Sequence, residues 1–133
     1  MVQNQDIMKE FKELTRAEEQ IMQELWNLEQ AFVKDVIEQL PSPKPAYNTV
    51  STIIRILETK GFVGHESFGK SHRYYPLVSK EDYRTFATGK LLQGYFDNSP
   101  RNMLSFFVEE QKLDLQDADE LLKMLEAAKT KNK

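Results

Sequence analysis

The sequence predicts a mainly α fold with a small β-hairpin: an N-terminal winged helix-turn-helix followed by a C-terminal three-helix dimerisation domain. Three observations carry that expectation. From Tyr47 to Gly61, a spacing of about 100° per residue gathers Val50, Ile53, Ile54 and Leu57 into an apolar stripe. Asn48, Ser51, Thr52, Arg55 and Thr59 fall on the far side. Two helical patterns and a proline-rich connection precede that stretch, and two β-prone runs around a glycine-bearing turn follow it. Beyond residue 79, three more capped and apolar-striped segments succeed one another, so the predicted domains are 1–78 and 79–133.

Residues 1–13 are polar, with Ile7, Met8 and Phe11 at helical spacing. Thr15 and Glu18 then form the residue pair of a capping box, in which each side chain satisfies the other's backbone N–H. Ile21, Met22, Leu25, Trp26 and Leu28 continue that helix, and Trp26 is its core anchor. Ala31-Phe32-Val33 is apolar and β-branched enough for a short edge strand. Val33, Val36, Ile37 and Leu40 mark a second helix, stopped by Pro41-Ser42-Pro43-Lys44-Pro45, a stiff turn connector. Gly61 stands where a third helix takes its left-handed cap. Phe62–Ser67 and His72–Leu77 flank the Phe68-Gly69-Lys70-Ser71 turn of a hairpin, and Pro76 holds its second strand to an edge.

Ser79 caps a fourth helix whose apolar positions are Tyr83, Phe86, Ala87, Leu91, Leu92 and Tyr95. Asp97-Asn98 breaks it. Ser99-Pro100 opens a fifth helix carrying Met103, Leu104, Phe106, Phe107 and Val108. Asp114, with Asp117 at N3, opens a sixth, lined by Leu115, Ala118, Leu121, Leu122 and Leu125. Lys129–Lys133 reads as a loose tail. These last three helices carry more apolar side chains than so small a unit buries alone. A homodimer is the natural solution, with Phe86, Leu91, Tyr95, Met103, Leu104, Phe107, Leu121, Leu122 and Leu125 as its interface. Packing back on the N-terminal domain is the alternative.

The net charge of −3 is unevenly distributed. Residues 1–41 carry four basic and nine acidic groups, and residues 81–133 carry eight and ten. Residues 42–80 carry six basic and two acidic groups, with both histidines besides. Phosphate contacts depend on local charge, so this middle segment is the one suited to nucleic acid. There is no cysteine, which excludes disulfides and thiol chemistry. No apolar run approaches the roughly 18 residues of a membrane span, and the N-terminus has no signal-peptide core, so the expected location is cytoplasmic without membrane insertion.

The polar face of the third helix has short hydrogen-bonders, an arginine and no acid, which suits base edges in a major groove. A polar surface with no task is the other reading of that face alone. Asn48, Thr49, Ser51, Thr52 and Arg55 are expected to approach bases or nearby phosphates, while Lys44, Tyr47, Lys70, His72 and Arg73 hold the backbone. His65 and His72 can meet across the hairpin, but they lack a third ligand, so no metal site is expected. No nucleophile triad, phosphate loop or carboxylate pair points to an enzyme or a cofactor.

The ordered pieces Leu14-Thr15-Arg16-Ala17-Glu18, Leu25-Trp26, Asn48-Thr49-Val50-Ser51-Thr52, Lys60-Gly61, Arg73-Tyr74-Tyr75-Pro76-Leu77-Val78-Ser79 and Phe107-Val108-Glu109-Glu110 resemble the penicillinase-repressor (BlaI/MecI-type) family of bacterial transcriptional regulators. The resemblance spans about residues 12 to 126. It implies a homodimeric repressor on a palindromic DNA operator, derepressed when a membrane-bound sensor protease system triggers cleavage in the C-terminal domain. By position, the scissile bond is Phe106–Phe107, where relatives have asparagine in place of Phe106. The family's usual Ser-Pro-Lys-Thr opening of the reading helix is Ala46-Tyr47-Asn48-Thr49 here, and Ile56 replaces a common arginine. Two rival readings keep the fold: a protein–protein adaptor that docks a partner on its C-terminal helices, and a ligand-sensing repressor with Tyr83, Phe86, Tyr95 and Phe96 lining a pocket.

Overall fold

The computed structural model describes residues 11–110 and 112–131. Among these residues it has six helices and one antiparallel hairpin, in the order α1 (Arg16–Leu28), α2 (Val33–Gln39), α3 (Tyr47–Thr59), β1 (Val63–Phe68), β2 (Ser71–Pro76), α4 (Lys80–Tyr95), α5 (Pro100–Glu109) and α6 (Leu115–Lys131). Two compact units divide between Ala87 and Thr88, so α4 begins in one and ends in the other. Ile7, Met8, Asn132 and Lys133 lie outside the described residues.

Local chemistry sets the element ends in the first unit. Thr15 Oγ1 accepts from the Glu18 N–H at 3.2 Å, and Glu18 Oε1 accepts from the Thr15 N–H at 2.9 Å, the reciprocal cap of α1. Asp35 Oδ2 accepts from the Phe32 N–H at 3.0 Å and so starts α2 at Val33. That bond takes Phe32 and Val33 out of the edge strand expected at 31–33. Only Ala31 pairs with the hairpin, exchanging two backbone hydrogen bonds with Tyr74 at 2.9 and 2.8 Å.

At the end of α3, Gly61 has φ +86°. The Phe62 N–H donates to the Leu57 carbonyl at 2.9 Å and the Gly61 N–H to the Glu58 carbonyl at 3.0 Å, a Schellman motif. The motif turns Phe62 into the core, where Met22, Leu25, Val36, Val50, Ile54, Leu57 and Val63 are likewise fully buried. The hairpin pairs Val63 with Pro76 and Phe68 with Ser71, leaving Gly69-Lys70 as a two-residue loop with Gly69 at φ +62°.

Trp26 Nε1–H donates to the Val78 carbonyl at 2.8 Å and fastens the segment after the hairpin to α1. The Tyr83 hydroxyl accepts from the Leu14 N–H at 3.2 Å. Phe86 belongs to the same core, its ring 5.7 Å from that of Phe11 and 5.6 Å from that of Tyr83. The reason is its place one turn after Tyr83 on α4, which gives it the same inward face. It is thus unavailable to the dimer interface expected of it.

In the second unit, Ser99 Oγ accepts from the Asn102 N–H at 3.0 Å, with Pro100 at the first position of α5. Asp114 Oδ1 accepts from the Asp117 N–H at 2.8 Å and opens α6. Asp97 and Asn98 both have positive φ, where α4 ends. The helix α6 continues to Lys131, past the start of the loose tail expected at Lys129. No described side chain from Thr88 onward is buried. Leu91, Tyr95, Leu104, Leu122 and Leu125 are exposed, as are Phe106, Val108 and Met124, while Met103, Phe107 and Leu121 are half-buried.

Candidate nucleic-acid interface

The helix α3 buries Val50, Ile54 and Leu57 and leaves Asn48, Thr49, Thr52 and Arg55 exposed. Its opening residue, Tyr47, is 57% exposed. Four of the five residues expected to read bases therefore share an accessible surface. Ser51 is the exception, with 7% of its surface exposed. At about 100° per residue it stands some 60° from Ile54, at the margin of the buried arc rather than opposite it. Its hydroxyl instead accepts a hydrogen bond from Arg55 Nη2 at 3.2 Å.

The hairpin places the remaining cations unequally. Lys70 and His72 are exposed at and beside the turn. Arg73 donates to Glu66 Oε1 at 2.9 Å, the residue paired with it across the strands, and its guanidinium lies 4.7 Å from the Phe68 ring centre. It is held within the hairpin, because opposite charges at directly paired strand positions attract. Lys44 is likewise engaged. Its ammonium donates to the Glu38 carbonyl at 2.9 Å and to the Leu40 carbonyl at 2.5 Å, completing the C-terminal end of α2. The backbone-holding role expected of Lys44 and Arg73 thus competes with an internal one.

An unexpected link joins α3 to the hairpin. His65 Nδ1 and Glu58 Oε2 are 2.6 Å apart, and the His65 and His72 rings are 4.3 Å between centres. The seven-residue spacing of Glu58 and His65 crosses the Gly61 turn, so neither helix nor strand periodicity signals it. Burial pushes the Tyr74 hydroxyl above its ordinary value, the Glu58 charge adds to that, and the Arg55 charge opposes it. Arg55, Glu58 and Tyr74 thus share one electrostatic neighbourhood where α3 meets the hairpin. Among the described residues no group of three or more His, Asp or Glu is placed to hold a metal ion.

A groove of about 350 Å³ opens beside the N-terminus of α3, lined by Phe32, Val33, Lys34, Tyr47, Phe68, Ser71 and His72. It separates Tyr47 on α3 from the end of the hairpin, and the Phe32 and Phe68 rings meet edge to face at 5.9 Å along it.

Helix, bridging residue, helix, helix and two-stranded hairpin follow one another as in a winged helix-turn-helix. The family model described as penicillinase repressor matches residues 14–127. The chain belongs to the penicillinase-repressor family. The penicillinase repressor of Bacillus licheniformis is 26% identical over 131 residues, covering 95% of this chain and 99% of that protein. The methicillin resistance regulatory protein MecI of Staphylococcus aureus (strain N315) is 25% identical over 114 residues, covering 85% and 93%. The solution structure of the DNA-binding domain of the repressor BlaI matches with 25% identity and a TM-score of 0.47, covering 53% of this chain and 88% of that one. The family match ends inside α6, so it takes in part of each unit of this penicillinase-repressor chain.

Proposed function

We propose that the chain is a sequence-specific DNA-binding transcriptional repressor that acts as a homodimer on a palindromic operator. The observation that carries this reading is the acid-free exposed surface of Asn48, Thr49, Thr52 and Arg55 on α3, flanked in the same unit by Lys70 and His72 of the hairpin. In this reading α3 enters the major groove and the hairpin touches the flanking backbone. Arg55 offers two donors for guanine O6 and N7, Asn48 offers one donor and one acceptor for adenine N7 and N6, and Thr49 and Thr52 add hydrogen bonds or methyl contacts. Tyr47, Lys70 and His72 contact the backbone, with Lys44 and Arg73 contributing charge from their internally bonded positions.

The second unit supplies the dimer. Leu91, Tyr95, Leu104, Leu122 and Leu125 leave apolar surface in water that a second copy would cover, together with the half-buried Met103, Phe107 and Leu121. Family membership supports release of the operator by cleavage in this unit, at Phe106–Phe107 on α5, triggered by a membrane-bound sensor protease system. The side chain of Phe106 is 44% exposed, but the bond lies within a helix, so cleavage requires α5 to open locally.

Binding to mixed-sequence duplex DNA across a salt series tests the reading. The affinity is expected to fall by orders of magnitude as salt rises from about 50 to 200 mM. Binding that is absent, or indifferent to salt, contradicts it.

A further inference from the structure

We infer that Ser51 does not touch DNA but is a positioning residue, which fixes the Arg55 guanidinium so that its remaining donors present one defined edge to a base. The inference rests on the DNA-reading role proposed for α3. A serine hydroxyl has two acceptor lone pairs, and a guanidinium has five N–H donors. The bond from Arg55 Nη2 to Ser51 Oγ uses one donor and leaves four. Ser51 is buried in the wall of α3, so its oxygen is a fixed point. Arg55 is exposed and long, and an arginine without such an anchor spreads over many rotamers.

The acid nearest in sequence does not compete for that guanidinium. Glu58, three residues on and on the adjoining face, is drawn to His65 at 2.6 Å. Among the described residues Lys60 pairs with Glu18, Arg73 with Glu66 and the His65 ring with Glu58, and Arg55 contacts none of these carboxylates. Arg55 is therefore oriented by a neutral partner and keeps its charge for an outside acceptor. A neutral anchor suits a reader, since a carboxylate in its place would cancel the attraction to the electronegative edge of guanine.

The test uses the full chain and duplexes carrying the site that the wild-type chain selects from random DNA, with each base pair replaced in turn. Arg55→Ala is expected to lose about five- to 150-fold discrimination at one position of each half-site. Ser51→Ala is expected to lose about two- to tenfold at that same position. Its salt slope and its affinity for mixed-sequence DNA should match those of the wild type. Ser51→Thr, which keeps the hydroxyl, should restore the preference. Ser51→Ala made in the Arg55→Ala background should have no further effect on it.

A loss at all positions alike, a loss at a different position, or an undiminished effect of Ser51→Ala without Arg55 would overturn the positioning role. A wild-type chain that selects no sequence overturns the DNA reading itself, and the inference with it. Circular dichroism on each variant separates a folding defect from either outcome.

Discussion

The Lys60 ammonium lies 2.7 Å from the Glu18 carboxylate and ties the end of α3 to the first turn of α1. Glu18 is 5% exposed and also accepts the Thr15 N–H, so one carboxylate closes a helix cap and neutralises a cation 42 residues away. Lys60→Met leaves that carboxylate buried with only the cap to compensate it. The expected cost is about 1–3 kcal/mol, below the usual figure for a fully buried pair because Lys60 is partly hydrated. Urea unfolding with an unchanged m-value is the measurement. A loss below a few tenths of a kcal/mol would show that the pair is worth no more than a surface one.

Acid should remove the same contribution. Burial alone raises the Glu18 carboxyl, but the Lys60 ammonium and the Thr15 N–H outweigh it and hold the group below its ordinary 4.5. A carboxylate lowered in the folded state stabilises the fold above the unfolded value, and that stability disappears as pH falls through the lower, folded value. The stability gap between wild type and Glu18→Gln should therefore be widest near neutral pH and narrow steadily below about pH 4.5. A gap constant down to acid unfolding would contradict this.

Two glycine substitutions should have opposite signs. Gly61 has φ +86° and open space where a Cβ would stand, so Gly61→Ala meets backbone strain alone and should cost about 1–2 kcal/mol. Gly94 lies inside α4 with equally open surroundings, and Gly94→Ala should stabilise by about 0.5–1 kcal/mol. Thermal unfolding of the pair checks both, and equal effects would exclude the Schellman turn as the reason for Gly61.

Lys70 sits in the turn of the hairpin, on a different element from the α3 surface proposed to read sequence. Lys70→Ala should weaken binding to every duplex by a similar factor and reduce the salt slope by about one. A loss confined to one operator sequence would assign Lys70 to base reading instead.

Leu122 is 59% exposed on α6, and the second unit buries none of its described side chains. Leu122→Glu should shift the chain from dimer to monomer in sedimentation while helicity persists. A wild-type chain that sediments as a monomer at all concentrations removes the proposed interface.

What the sequence disclosed was chiefly local. The caps at Thr15, Ser79, Ser99 and Asp114 each need only residues within one turn, and all four form the expected bond. The hairpin and the Gly61 turn were equally legible, because glycine spacing fixes where the chain reverses. The surroundings that the sequence did not disclose share another cause. Ser51 lies at the edge of a helical arc, where polarity alone does not decide between water and core. Phe86 is apolar on a helix shared by two units, and periodicity says that it is buried but not against what. Lys44 and Arg73 look like free cations until the Leu40 carbonyl and Glu66 are seen to hold them. The Glu18–Lys60 and Glu58–His65 pairs join different elements, and no pattern within one element can announce them.

Selection of bound duplexes from a random DNA pool, with the stoichiometry of the selected complex measured by sedimentation, bears most directly on the role assigned to α3. The expected result is one enriched sequence with two-fold symmetry, half-sites about one helical turn apart and two chains per duplex. A pool that remains unenriched, bound by a chain whose affinity does not change with sequence, would contradict it.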